Sequence, residues 1–250
     1  MTGAFRLRLH ESLPSTQSLV TDLAERGEPA GLAILARRQT AGRGRAGREW
    51  HSRAGNLHLS VLLRPGGPAR DIAGYALLAA VVLHEAATHH APQRALQLKW
   101  PNDLMEGPAK LAGILAEASL DERAGIAHLV LGFGVNLAHA PELDGRAVTS
   151  LGPIPPEAFA ATLLKRLAHW LNLRLTEGFA PVRAAWMAHG PEQGSRMTLR
   201  QGDNSFSGRY EGLAEDGGLL LATGGRLHAF HAGEVIGAGE VIEDGDASRD

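Results

Sequence analysis

The sequence contains no cysteine among its 250 residues. Disulfide bonds, thiolate metal sites and a cysteine nucleophile are therefore excluded, and a cytoplasmic location is predicted. Strong charge of either sign is also missing, because the formal net charge is only −2 at pH 7. Domains that bind nucleic acids broadly are usually strongly basic, so we expect no nucleic-acid partner.

Long apolar runs are scarce. The segment Met1 to His10 has no apolar core of the kind found in secretory signals. The most apolar run, Ile72 to Leu83, is shorter than the ~20 residues that a membrane span needs. It lies in a predicted helix from Asp71 to Ala87, which we interpret as a buried helix. We therefore predict no membrane association.

An apolar content of 44% is that of an ordinary globular protein with a sizeable core. Hydrophobic periodicity predicts strands at 5–9, 31–38, 56–64, 95–100, 110–120 and 127–137, and helices from about 15 to 27, at 71–87, 157–176 and 179–189. Alternation of apolar and polar residues predicts that the strand at 5–9 is half-buried and that the strand at 56–64 has one covered face. From 197 to 241, short β-like segments separated by turn residues predict a small antiparallel barrel. We place a domain boundary near residue 190, which gives domains 1–190 and 191–250, the latter ending in a polar tail.

The stretch from Gln39 to Trp50 sets three arginines among three glycines and ends on an indole. Glycine lets backbone N–H groups approach a ligand, arginine suits phosphate and carboxylate oxygens, and tryptophan offers a flat face to a ring. The pattern predicts an anion-binding loop beside a ring site, and a flexible basic linker is the alternative. Because the loop joins two strands and lacks G-x-x-x-x-G-K-[ST], it fits neither a Rossmann turn nor a P-loop.

A second group of polar residues is Lys99-Trp100-Pro101-Asn102-Asp103 with the nearby segment Lys110 to Leu115. Lysine suits a phosphate or a developing anion, and Asp103 could bind Mg²⁺ or pair with a lysine. An ordinary surface turn is the alternative, because Pro-Asn-Asp is a common turn sequence. Three glycines inside strand patterns, Gly113, Gly132 and Gly134, indicate close approach of a ligand, a bulge or simple packing relief.

These segments together resemble the biotin–protein ligase family, also called biotin–[acetyl-CoA-carboxylase] ligases. The family carries a Gly-Arg-Gly-Arg loop followed by Trp, here Gly42 to Trp50, and Lys-Trp-Pro-Asn-Asp, here Lys99 to Asp103. It also carries Lys-Leu-x-Gly-Ile-Leu, here Lys110 to Leu115, and Gly-x-Gly-x-Asn, here Gly132 to Asn136. The resemblance covers nearly the whole chain. It implies an α+β fold, with a mixed, largely antiparallel sheet flanked by helices and a C-terminal SH3-like β barrel.

The resemblance also implies an activity. The family makes biotinyl-5′-AMP from biotin and ATP with Mg²⁺, then biotinylates one lysine of a biotin carboxyl carrier protein of acetyl-CoA carboxylase. The implied biotin contacts are Ser15, Thr16, Gln17, Gln39, Arg43, Gly44, Arg45, Lys110 and Gly113. The implied ATP contacts are Arg43, Arg48, Trp50, Asn102, Asp103, Lys110, Gly132, Gly134 and Asn136. Arg45 and Lys110 would be catalytic, and Asp103 would be a weak Mg²⁺ ligand.

The chain departs from the family pattern at two positions. Gln17 stands where many members have Asn, and Ala46 stands where the loop often has Arg. Since the chain begins directly with the first predicted strand, we expect the monofunctional type, without the helix-turn-helix domain of some members and without DNA binding. A specific operator complex in a gel-shift experiment would contradict this expectation.

Two alternatives stay open. A lipoate–protein ligase shares the catalytic fold, although the octanoyl-transferring version needs the cysteine that this chain lacks. A non-catalytic biotin-binding protein is the other, although the retained Arg43, Arg45, Asp103 and Lys110 argue against a decayed site. Dimerisation is common in the family, so a homodimer is compatible with the resemblance.

Overall fold

The computed structural model describes residues 5–241 and is built around a seven-stranded sheet. Its strands are β1 (Arg6–His10), β2 (Leu32–Ala36), β3 (Leu57–Leu63), β4 (Leu96–Lys99), β5 (Asp103–Glu106), β6 (Ala109–Leu120) and β7 (Ile126–Val135). Their order across the sheet is β1-β2-β3-β7-β6-β5-β4. β1 and β2 are parallel, and the other neighbours are antiparallel. The predicted mixed sheet is confirmed.

Helices cover both faces of this sheet. They are α1 (Thr16–Glu25), α2 (Ile72–His90), α3 (Pro156–Glu177) and α4 (Ala180–His189). On one face, Val20 and Ala24 of α1 pack with Leu32, Leu62 and Val130 in a small apolar cluster. On the other face, α2 lies against the sheet, and α3 and α4 pack against α2. The larger apolar core lies on this second face.

The central helix α2 belongs to this core. Among residues 5–241, the helical stretch Ala69–His90 is the one long and apolar enough to cross a membrane by length and composition. However, 61% of its most apolar window is buried inside the protein. Its central residues, from Leu77 to Leu83, are almost completely inaccessible to solvent. The predicted buried helix is thus confirmed, and it extends three residues beyond Ala87.

The C-terminal part forms a second, antiparallel sheet of five strands. They are β8 (Ser195–Gln201), β9 (Asn204–Leu213), β10 (Leu219–Thr223), β11 (Arg226–Phe230) and β12 (Glu234–Val241), in the order β11-β10-β9-β8-β12. This is the expected SH3-like unit. Its buried Tyr210, Leu213 and Leu219 join the larger core, so the two sheets share apolar packing. A domain division at residue 190 stays a prediction, and the polar tail after residue 242 lies outside the described residues.

Three strands differ from the predictions. β1 was expected to be half-buried, but Leu7 and Leu9 remain 42% and 44% exposed because β1 is the edge of the sheet. The alternation in β3 predicted one covered face, yet all seven residues are buried because helices cover both faces. β5 was not predicted: Asp103, interpreted as part of a turn, begins a strand that pairs with β4 and β6.

Candidate functional site

Strand register assembles the candidate site on the α1 face of the large sheet. Across five neighbouring strands, Lys99 pairs with Asp103, Asp103 with Gly113, Gly113 with Gly134, and Gly134 with His58. Residues paired across strands share a face, so this row brings two charged side chains, two glycines and an imidazole together. In sequence these residues span positions 58 to 134, and only the register makes them neighbours.

The two glycines in the middle of this row form a flat floor beneath the Trp50 indole. A Cβ atom at Gly134 would lie 2.4 Å from Cε2 of Trp50, and one at Gly113 would lie 3.4 Å from its Cζ3. A Cβ at Gly132 would lie 2.5 Å from Oε1 of Gln17. These strand glycines therefore provide space rather than an unusual backbone conformation. The atoms that approach all three glycines most closely belong to protein side chains, which fits the packing explanation, and close approach of a ligand stays a prediction.

The Gly/Arg loop folds into a small closed hairpin rather than an extended linker. The Trp50 amide donates to the Gly42 carbonyl at 3.0 Å, and the Gly44 amide donates to the Arg48 carbonyl at 2.7 Å. A 3₁₀ turn at the tip includes Ala46 with φ of 53°, a left-handed conformation that alanine adopts rarely. At Gly42 a Cβ would lie 2.4 Å from the Trp50 carbonyl oxygen, so only glycine fits there.

Cationic side chains gather at one end of the pocket. Arg45 at the loop tip donates to Oδ1 of Asn102 at 2.8 Å, and Nδ2 of Asn102 donates to the Ile114 carbonyl at 2.7 Å. Nζ of Lys110 donates to Oδ1 of Asp103 at 2.6 Å. Partial burial lowers the pKa of Arg45, and the nearby Asp103 opposes this shift. An anion bound here would replace part of the water that these two cations lose.

Neutral hydrogen-bonding groups form the other end. Ser15 caps α1 by accepting from the Ser18 amide, which leaves Thr16 free to face the pocket. Both the amide and the hydroxyl of Thr16 lie within hydrogen-bond distance of Oε1 of Gln39, at 2.8 and 3.1 Å. The Thr16 hydroxyl is also 2.9 Å from Oγ of Ser60. This wall suits an uncharged polar group that needs both donors and acceptors.

Three buried polar atoms around the pocket have no partner within the described part of the chain. They are Nε1 of Trp50, Nδ1 of His58 and Oδ1 of Asn136. Burial lowers the pKa of His58 to about 4, despite a contact between its Nε2 and the Arg53 carbonyl. Because Nε2 faces an acceptor, it carries the proton and Nδ1 is left as an acceptor. Such unsatisfied atoms are costly unless a ligand or water binds them.

The small C-terminal sheet also contributes to the site. Glu234 at the start of β12 lines the pocket and accepts from Arg48 of the loop at 3.2 Å and from Arg200 at 3.0 Å. Partial burial raises the pKa of Glu234, and the hydrogen bonds from both arginines outweigh that effect, so the pKa falls below its usual value. The indole N–H of Trp100 is 3.4 Å from the Gly217 carbonyl. The Gly/Arg loop, through Arg48, and the segment after β4, through Trp100, are therefore both tied to the SH3-like unit.

A metal ion has limited support from the protein alone. Within residues 5–241 no group of three or more His, Cys, Asp or Glu side chains could hold one. Oδ1 of Asp103 accepts from Lys110, which leaves Oδ2 as its open oxygen. Mg²⁺ commonly uses one or two carboxylates together with substrate phosphates. Asp103 fits such an accessory role, and its assignment as a metal ligand stays a prediction.

Every residue that was predicted to bind biotin or ATP lines this one pocket. The structure thus brings together helix α1, the Gly/Arg loop and strands β5 to β7, although each binding role stays a prediction. Sequence reasoning singled out Lys99 without a role, and it missed His58, Ser60 and Glu234. His58 and Ser60 lie on the strand after the loop, at alternate positions that were taken for a solvent face. No local sequence pattern around Glu234 indicated that it belongs to the site.

Comparison with known proteins decides the family. Residues 9–136 match the biotin/lipoate A/B protein ligase family, and residues 194–236 match the biotin protein ligase C terminal domain. The chain belongs to the biotin protein ligase family. This confirms the resemblance and the predicted enzyme class, that of a ligase. It also explains the second sheet, which lies where the family has its C-terminal domain.

Individual relatives agree with this assignment. The chain is 36% identical over 217 residues to a biotin–[acetyl-CoA-carboxylase] ligase of Paracoccus denitrificans, a match that covers 82% of this chain and 90% of that protein. It is 31% identical over 237 residues to the bifunctional ligase/repressor BirA of Bacillus subtilis, covering 90% of this chain and 72% of that protein. The fold is similar to that of a biotin protein ligase from Aquifex aeolicus in complex with biotin and ATP. There the TM-score is 0.78 at 28% identity, and 92% and 97% of the two chains are covered.

Proposed function

We propose that this protein activates biotin with ATP and transfers the biotinyl group to a lysine of a biotin carboxyl carrier protein of acetyl-CoA carboxylase. The observation that carries the proposal is the polarity of the pocket. Arg45 and Lys110 gather at one end, and the neutral wall of Thr16 and Gln39 lies at the other. Biotin has the same polarity, with a carboxylate at one end and an uncharged ureido ring at the other.

In the first step, a carboxylate oxygen of biotin attacks the α-phosphorus of ATP, and pyrophosphate leaves with the bonding electron pair. Two anions have to approach each other, so the main requirement is positive charge where negative charge accumulates. Arg45 and Lys110 supply it, with Arg45 held by Asn102 and Lys110 held by Asp103. Mg²⁺ would accompany the ATP phosphates and neutralise part of their charge, with Asp103 as an accessory ligand.

In the second step, the amine of the carrier lysine attacks the biotinyl carbonyl, AMP leaves, and the amine loses a proton. No protein nucleophile is needed, which agrees with the absence of cysteine. The mixed anhydride must be kept from water between the two steps. The Gly42–Trp50 hairpin, which lies over the floor with its indole on Gly134, is the element that would cover it. We expect the reaction to take place in the cytoplasm.

The test is ATP–pyrophosphate exchange with purified protein and biotin, with lipoate and octanoate in parallel. Exchange that depends on biotin, followed by labelling of a carrier domain, is the expected result. Exchange with lipoate alone would instead assign the chain to lipoate ligation. Biotin binding without any exchange would mean that the protein binds biotin but does not activate it.

A further inference from the structure

Glu117, on β6, does not line the pocket itself but makes contacts with two residues that do, and the proposed mechanism uses neither contact. Its Oε1 accepts from Nη2 of Arg43 at 2.8 Å, and its Oε2 accepts from Nε2 of Gln17 at 3.1 Å. Arg43 is at the base of the Gly/Arg loop, and Gln17 is buried in the first turn of α1. One carboxylate therefore joins helix α1 to the Gly/Arg loop, which also meet through Thr16 with Gln39 and through Ser18 with Arg43.

The contact with Gln17 fixes the direction of a hydrogen-bond chain. Nε2 of Gln17 faces two acceptors, Glu117 and the Val130 carbonyl, so its Oε1 must face Ser60 and accept from it. Since the Ser60 hydroxyl has one hydrogen, its contact with the Thr16 oxygen 2.9 Å away requires Thr16 to donate to Ser60 rather than to Gln39. Glu117 and the Val130 carbonyl together thus set the orientation of the Thr16 hydroxyl at the neutral end of the pocket.

The contact with Arg43 fixes the loop. The other foot of the hairpin is held by Ser52, which accepts from Nε2 of Gln39 at 2.9 Å and donates to the Trp50 carbonyl at 3.1 Å. Arg43 also donates to the Ser18 hydroxyl, but at 3.4 Å that bond is long. Glu117 is therefore the main anchor of the first foot, and the ion pair is half-exposed, with 48% of the Arg43 side chain accessible.

From these contacts we infer that Glu117 is a positioning residue, which both orients the neutral wall of the pocket and holds the Gly/Arg loop closed. The part of this inference that concerns biotin binding rests on the proposed function. A glutamine at this position cannot replace Glu117, because it has one oxygen to accept with. If that oxygen faces Arg43, two NH₂ groups oppose each other at Gln17; if it faces Gln17, an NH₂ group opposes the Arg43 guanidinium.

The experiment compares Glu117→Gln with the wild-type protein and with Glu122→Gln, an exposed glutamate in the β6–β7 turn that loses the same charge. Biotin affinity is measured by titration calorimetry, and loop closure by the rate of tryptic cleavage after Arg45 and Arg48. We expect Glu117→Gln to weaken biotin binding about fivefold and to speed cleavage about fivefold, the scale of a half-exposed ion pair with an added charged hydrogen bond. Glu122→Gln should match the wild-type protein.

Arg43→Ala removes the other partner of the same ion pair. Because the Arg43 side chain is half-exposed, we do not expect this substitution to prevent folding. It should speed cleavage as much as Glu117→Gln, and the Arg43→Ala, Glu117→Gln double variant should be no faster than either one. The inference would be overturned if Glu117→Gln could not be distinguished from Glu122→Gln in cleavage rate or in biotin affinity. It would also be overturned if the effects of Arg43→Ala and Glu117→Gln on the cleavage rate were additive in the double variant. If the wild-type protein binds no biotin, the proposed function fails, and cleavage alone then decides the role of Glu117.

Discussion

The glycines of the sheet wall and the glycine at the tip of the Gly/Arg loop serve different purposes. On the sheet side, Gly113 and Gly134 lie in regular paired strands, and the missing Cβ atoms make room for the Trp50 indole. On the loop side, Gly47 has φ of 72°, and a Cβ there would meet no atom within 4 Å. Sheet glycines therefore provide space, whereas this loop glycine provides conformation. The sheet wall is partly buried and is fixed by neighbouring strands, while most of the loop is exposed.

From this difference we expect groups on the sheet to matter more for activity than groups on the loop rim. A fixed and partly buried charge is screened less by solvent and salt than a mobile and exposed charge is. This expectation would be contradicted if a substitution on the loop rim lowered activity more than a substitution on the sheet.

Replacement of Lys110 by alanine should have the largest effect. Its Nζ lies on β6 beside Asp103, and no other lysine contacts that carboxylate in the described chain. Loss of a preorganised cation should lower the rate of biotin-dependent pyrophosphate exchange about 1,000-fold. Lys165→Ala, on the exposed side of α3, is the matched control and should leave the rate unchanged. A loss of less than about tenfold would remove Lys110 from the charged centre of the site.

Gly134→Ala should come next. The new Cβ would meet the indole of Trp50 at 2.4 Å, so the ring must leave its position on the floor. We expect exchange to fall about 100-fold, because small displacements of positioned groups cost that much. Gly237→Ala adds the same atom on β12, where the nearest atom would be 3.8 Å away, and should be silent. Equal rates for both variants would show that the indole need not lie on the floor.

Acidification should destabilise the folded protein through His58, which lies in the sheet wall. Burial lowers its pKa to about 4, so between pH 6.5 and pH 4 the unfolded chain binds a proton that the folded protein does not. Stability therefore falls as the pH falls, and from pH 7 to pH 5 this residue alone should remove about 2 kcal/mol from the free energy of unfolding. Urea unfolding at both pH values measures the change.

The matched pair for this measurement is His58→Gln and His169→Gln, since His169 is exposed on α3. The His58 variant should lose about 2 kcal/mol less than the wild-type protein on acidification. The His169 variant should lose as much as the wild-type protein. An identical loss in the His58 variant would assign the pH dependence to other groups, among them the buried His84, whose pKa burial also lowers to about 4.

Arg48→Ala should have the smallest effect. Its ion pair with Glu234 joins the loop to the SH3-like unit, but 44% and 36% of the two side chains are exposed. We expect the KM for ATP to rise no more than about threefold, with a smaller difference from the wild-type protein in high salt. Steady-state kinetics at two salt concentrations test this. A tenfold or larger rise would show that this exposed ion pair contributes more than solvent screening allows.

Much of the fold could be predicted because its signals are local. The alternation before Pro14, the Ser15 cap of α1 and the apolar stretch of α2 each depend on residues close in sequence. All four helices and all but one strand of the large sheet were anticipated. The missed β5 has four residues, and its pattern is hidden by the turn sequence Pro101-Asn102-Asp103. Burial of β3 on both faces depends on helices that pack against it from far along the chain.

The features of the candidate site can likewise be separated into those that are visible in the sequence and those that depend on folding. The available chemical groups can be read from the residues alone: a Gly/Arg loop, two lysine-containing segments and strand glycines, whose spacing already resembled biotin–protein ligases. Three features arise only when the chain folds: register aligns Lys99 with His58, Glu117 joins Gln17 to Arg43, and Glu234 reaches the loop. Local propensity depends on neighbours in the chain, whereas register and packing depend on contacts between distant segments, which no short pattern contains.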